Sequence, residues 1–109
     1  MTVQDFSKLF IGGEWVLPHS GRVIPSIDPS TEEVWTEAAE ADEVDVDHAV
    51  KAAKAAFDGP WRRKITASDR GRYIHRLAEL MRRDADALAL IETRDNGKPL
   101  RDTKGEILR

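Results

Sequence analysis

Apolar residues in this chain are spaced in two ways, and the switch near residue 42 divides a strand-forming front from a helix-forming remainder. In the front, Phe10-Ile11 and Trp15-Val16 flank Gly12-Gly13. Short apolar runs on either side of a glycine pair predict a tight hairpin. Pro18-His19-Ser20-Gly21 reads as a second turn, followed by a short extended run, Arg22-Val23-Ile24-Pro25-Ser26-Ile27, in which Pro25 argues for an edge position. Asp28-Pro29-Ser30-Thr31 has turn chemistry, because Pro presets φ and Asp can bond the backbone two residues on. Val34-Trp35-Thr36-Glu37-Ala38 then returns as a strand. A small antiparallel sheet of this kind needs another layer to cover it.

From Asp42 onward the apolar residues recur at steps of three and four. Val46, Ala49, Val50, Ala53 and Phe57 mark one helical face, with Asp42 as its cap, Asp45 in the capping-box position and Asp58-Gly59-Pro60 as its stop. Asp47 and Lys51 are placed to pair on its flank. After Trp61-Arg62-Arg63-Lys64, Thr66 and Asp69 repeat the capping pattern ahead of an apolar stripe of Tyr73 or Ile74, Leu77, Leu80 and Met81. Asp84 marks a break in the period or a fresh cap, and a third helix carries Leu88, Ile91 and Asp95 toward one side.

That third helix runs into Glu92-Thr93-Arg94-Asp95-Asn96-Gly97-Lys98-Pro99, the stretch around which the chain is organised. Gly97 suits the left-handed position that closes a helix, and Pro99 cannot continue the ladder. Pro99 is expected at the first position of a further helix. Asp95 stands in a last turn, where the helix dipole favours cations, so some other group must use its carboxylate.

Composition narrows the class without naming a function. The 109 residues are 40% hydrophobic and 34% charged, which fits a folded, soluble α+β piece. A net charge of −3 disfavours nucleic acid as a partner. No apolar run approaches membrane-spanning length. The absence of cysteine excludes disulfides, thiolate metal sites and a cysteine nucleophile within these residues, and fits a cytoplasmic setting. Met1-Thr2-Val3-Gln4-Asp5 lacks the basic-then-apolar pattern of a signal peptide, and Ile107-Leu108-Arg109 reads as a helical segment cut short.

Few residues stand out chemically. The glycines at 12, 13, 21, 59, 71, 97 and 105 match neither a dinucleotide fingerprint nor a phosphate loop. His19, His48 and His75 are far apart in the pattern and read as structural or surface residues. Asp45 with Asp47, and Asp84 with Asp86, read as helix-start charges. Arg62, Arg63, Lys64, Arg70, Arg72, Arg76, Arg82 and Arg83 form a basic series, but acids interleave with them, so a solvated or subunit-facing charged face is expected.

The order of the motifs carries more than any one of them. Leu9-Phe10-Ile11-Gly12-Gly13-Glu14-Trp15, Asp28-Pro29-Ser30-Thr31, Asp45-Val46-Asp47-His48-Ala49-Val50, Pro60-Trp61, Arg70-Gly71-Arg72 and Asp95-Asn96-Gly97-Lys98-Pro99 occur in sequence. Together they resemble the N-terminal region of the NAD(P)-dependent aldehyde dehydrogenase superfamily, from about Leu9 onward. Asp28 departs from the Asn frequent in that family, and Glu32-Glu33 replaces its common Gly-Glu turn.

The resemblance implies an α/β parent fold of Rossmann type, of which residues 1–109 are the N-terminal part of the cofactor-binding domain, with the catalytic domain absent. It implies oxidation of an aldehyde to an acid by NAD or NADP through a Cys thiohemiacetal, in a homodimer or homotetramer. The nucleophile, the general-base Glu and the cofactor motif would all lie outside this stretch. The rival expectation is a free-standing helical protein-interaction module. One site carries over by resemblance: a monovalent cation, K⁺ or Na⁺, held by Ser26, Ile27 and Asp95. Main-chain carbonyls with one carboxylate suit a hard cation. The alternative is that Asp95 only caps its helix or hydrogen-bonds a neighbouring loop.

Overall fold

In a computed structural model that describes residues 6–109, two hairpins precede five helical segments among the described residues. The reading of Met1 to Asp5 as leaderless lies outside them. Strand β1 (Leu9–Ile11) pairs antiparallel with β2 (Glu14–Val16). Gly12 and Gly13 bridge them with φ of 63° and 89°, the double positive φ that a two-residue hairpin loop demands. Strands β3 (Val23–Asp28) and β4 (Glu33–Ala39) form a second antiparallel pair. The two hairpins are separate two-stranded sheets, not one small sheet, because the Pro18–Gly21 turn leads the chain away from β2 without a ladder to β3.

The β3–β4 ladder is irregular at the point that matters later. Ser26 faces Thr36 and Ile27 faces Val34, so Trp35 is an extra residue on β4. A bulge of this kind bends a strand and re-aims a side chain. At the hairpin tip, Asp28 Oδ1 accepts from the Ser30 amide at 2.8 Å and from the Ser30 hydroxyl at 2.6 Å. Its carboxyl is held below the usual carboxylate range, first by the Ser30 hydroxyl and then by the Ser30 amide. Glu32 completes the turn with a φ of 61°.

Two of the helices begin on the capping boxes that were expected. Helix α1 (Glu43–Asp58) opens on a reciprocal Asp42–Asp45 box, and Asp47 pairs with Lys51 at 2.6 Å. Gly59 ends it. The segment read as a connector then makes one helical turn, α2 (Pro60–Arg63), with Pro in the first turn where an amide is dispensable. Helix α3 (Ala67–Arg83) opens on a Thr66–Asp69 box. Asp84 separates it from α4 (Ala85–Asn96), yet its carboxylate caps neither helix, since Arg83 holds it at 2.7 and 2.9 Å. Gly97 closes α4 in the left-handed region, with φ 78° and ψ 8°. Helix α5 (Leu100–Ile107) starts one residue later than expected: Pro99 has an extended ψ of 132° and caps the helix, its carbonyl taking the Asp102 and Thr103 amides.

Packing is thin. Among the described residues the buried apolar side chains are Pro18, Ala85 and Ala89, and Thr103 is fully buried with its hydroxyl 3.3 Å from that of Thr93. These small side chains let α4 and α5 approach closely. Elsewhere Val46, Val50, Phe57, Leu77 and Met81 on the apolar faces of α1 and α3 remain exposed, whereas Leu88 and Ile91 on α4 are half-buried. The radius of gyration is 16.9 Å, against about 13 Å for a compact chain of this length. No helix among the described residues is long and apolar enough to cross a membrane.

Candidate functional site

The β3–β4 hairpin lies across the end of α4, and this contact joins the two halves of the chain. Ser26, half-buried on β3, donates its hydroxyl to Asp95 Oδ1 at 2.6 Å across 69 residues of sequence. The same hydroxyl oxygen accepts the Trp35 indole N–H at 3.0 Å. Trp35 therefore orients Ser26, and Ser26 orients the carboxylate. The bulge makes this relay possible, because Trp35 is the residue that the ladder skips.

A second contact sits one turn away. Asp28 is buried, and the nearby Arg94 guanidinium helps keep its carboxylate charged. Pro29 packs against Gly97 so closely that a Cβ built at Gly97 would lie 3.2 Å from the Pro29 Cβ. The Asp-Pro turn and the Asp-Asn-Gly-Lys-Pro stretch are thus one structural unit. Beside them Trp35, Met81, Leu88 and Ile91 line an open, mainly apolar cleft of about 490 Å³, with Ser26 and Asp95 on its wall.

Of the three residues assigned to a cation, Ser26 and Asp95 are in direct contact, and Ile27 follows Ser26 at the bulge with its side chain exposed. The Asp95 carboxylate is thus tied by a hydrogen bond to strand β3. Among the described residues no three His, Cys, Asp or Glu side chains are grouped as for a metal ion. A cation here would draw on main-chain oxygens and one carboxylate, a hard donor set suited to K⁺ or Na⁺. Trp35 and Pro29 were not singled out from the sequence as site residues. Their signal was their pairing with Ser26 and Gly97, which is tertiary.

Three residues of the basic series pair with its interleaved acids. Arg72 contacts Asp69, Arg76 contacts Glu79 at 2.8 Å, and Arg83 contacts Asp84. Arg70 donates to the Ile65 carbonyl at 2.9 Å, and Arg62 lies 4.8 Å from the centre of the Phe57 ring. These side chains form the charged face expected, exposed in the single chain.

The family model described as the aldehyde dehydrogenase family matches residues 15–109. The chain belongs to the aldehyde dehydrogenase family. It is 51% identical over 96 residues to the mitochondrial aldehyde dehydrogenase of Equus caballus, covering 86% of this chain and 19% of that protein. This family segment also superimposes on the HpcC structure from Thermus thermophilus with a TM-score of 0.88 and 43% identity, over 94% of this chain and 19% of that one. Betaine aldehyde dehydrogenase from Staphylococcus aureus, solved in complex with NAD⁺, gives a TM-score of 0.87 at 29% identity, over 94% and 20% of the two chains. The chain therefore spans about a fifth of the length of the curated relatives it matches.

Proposed function

We propose that residues 1–109 form the N-terminal part of the cofactor-binding domain of an enzyme that oxidises an aldehyde to a carboxylic acid with NAD⁺ or NADP⁺. The observation that carries this reading is the family match over residues 15–109. The NAD⁺ complex of the Staphylococcus aureus relative supports a nicotinamide as hydride acceptor. When bound, that cofactor supplies the oxidising power. The residues of this chain act as scaffold: caps, hairpins and the α4–α5 pair set the edge on which the rest of the domain would build. The 109 residues hold no cysteine, so they do not supply the cysteine nucleophile that the resemblance implies. The intact protein is proposed to be a cytoplasmic homodimer or homotetramer, although the name of the horse relative points to the mitochondrion as a competing address.

The same reading includes a K⁺ or Na⁺ ion held by the main chain at Ser26 and Ile27 and by the Asp95 carboxylate. The irregular ladder at Ser26 and Ile27 supports it, because carbonyls at a bulge are released from regular pairing. An assay of the intact protein for aldehyde-dependent reduction of NAD⁺ and NADP⁺ tests the activity. Absence of reduction across aliphatic, aromatic and amino aldehydes, in protein that binds the cofactor, would overturn it.

A further inference from the structure

The turn between β2 and β3 is fastened to α1 through one histidine. Pro18 is buried and Gly21, at φ 68°, returns its amide to the Pro18 carbonyl at 2.9 Å, so His19 stands at the second position of a closed turn. Its backbone N–H donates to both oxygens of Asp45, at 3.0 and 3.1 Å. Its ring Nδ1 lies 2.8 Å from Asp42 Oδ2. A carboxylate only accepts, so Nδ1 carries the hydrogen.

The two carboxylates that receive His19 are the ones that cap α1. Asp42 Oδ1 accepts the Val44 amide at 2.9 Å and the Asp45 amide at 3.2 Å, and Asp45 Oδ2 accepts the Asp42 amide at 3.1 Å. Each acid thus serves the helix and the turn at once. Asp45 is buried, whereas the His19 side chain is 60% exposed and exchanges protons freely with solvent.

We infer that His19 is a pH-sensitive latch, tightening the Pro18–Gly21 turn against the α1 cap when the imidazole is charged and loosening it when neutral. The charged groups acting on the ring are Asp42, in contact, and Asp45 behind it; the positive end of the α1 dipole opposes them. The imidazole titrates above its ordinary 6.5, first through the Asp42 hydrogen bond and then through the Asp42 charge. Asp42 is correspondingly held below 3.8, first by His19. A raised histidine contributes fully below 6.5 and loses its contribution as pH rises through the higher folded value. Neutral His19 keeps the Nδ1–H bond but not the charge, so the latch slackens without opening. The first hairpin feels this, since β1–β2 also rests on α1, with Gly12 above Ala52.

The test is hydrogen–deuterium exchange of the intact protein at about pH 5.5 and about pH 8, corrected for intrinsic exchange, read on peptides covering residues 17–22 and 41–46. Wild type is expected to lose about twofold in protection there at the higher pH. His19→Gln keeps the backbone bonds to Asp45 and cannot titrate, so its corrected protection should be flat. Asp42→Asn keeps a capping oxygen, removes the charge, and should also flatten the profile. A wild-type profile that is flat, or one that both variants reproduce, overturns the latch.

Discussion

Gly97 and Pro29 pack so closely that a side chain on residue 97 would crowd the Pro29 ring. Gly97 has a φ of 78°, and its absent Cβ would fall 3.2 Å from the Pro29 Cβ and 3.3 Å from the Pro29 Cγ. Helix closure and hairpin docking therefore demand the same glycine. Gly97→Ala is expected to cost about 1–2 kcal/mol from backbone conformation alone, with the Pro29 crowding added. Gly97→Asn tolerates the left-handed region better, so its smaller loss reports mainly the crowding. Denaturant midpoints of the intact protein separate the two, and equal stability of Gly97→Ala and wild type would refute the packing argument.

Ser26 and Asp95 distinguish a cation ligand from a mere tie. If the carboxylate serves a cation, thermal stability of the intact protein rises in K⁺ or Na⁺ relative to a bulky organic cation at equal ionic strength, by mass action on the native state. Asp95→Ala should remove that difference while leaving hydride transfer intact. Ser26→Ala removes the relay between Trp35 and Asp95 and should lower stability by about 1 kcal/mol in either salt. A wild type indifferent to the cation would leave Asp95 with the hydrogen bond to Ser26 as its whole role.

Glu32 occupies a φ of 61°, where a side chain is strained. Glu32→Gly is expected to stabilise the protein by about 0.5–1 kcal/mol, relief of left-handed strain exceeding the added entropy of the unfolded chain. A lowered denaturant midpoint would show that the Glu32 side chain makes a contact worth more than the strain.

Asp28 links the hairpin tip to acid stability. Its folded carboxyl titrates below 3.8, so its contribution is complete above that value and is lost as pH falls through the lower folded one. Asp28→Asn keeps an acceptor for Ser30 and does not titrate. Stability measured from about pH 5 down to about pH 2 should fall less steeply in Asp28→Asn than in wild type. Parallel curves would assign the acid sensitivity elsewhere, to Asp42, Asp69 or Asp84.

The 109 residues alone should reduce no NAD⁺ or NADP⁺ with aldehyde, for want of a cysteine. They should also melt without a sharp transition, because Val50, Phe57 and Leu77 are exposed and each fully buried side chain of this kind is worth about 1.5–3 kcal/mol. Turnover above a mock purification, or a cooperative monomeric melt, would contradict these two expectations in turn.

What the sequence determined by itself is what a few neighbouring residues decide. The Asp42–Asp45 and Thr66–Asp69 caps, the Gly12-Gly13 loop, the break at Asp84 and the glycine stop at Gly97 are all closed by partners within about four positions, so their chemistry is written locally. The order of the short motifs from Leu9 to Pro99 was also enough to reach the family. Tertiary structure alone decided the bulge that frees Trp35, the contact of Ser26 with Asp95, the wedge of Pro29 on Gly97 and the grip of Asp42 on His19. Each of these joins residues 9 to 69 positions apart. Such contacts depend on how helices and hairpins stack, and no local propensity encodes that distance.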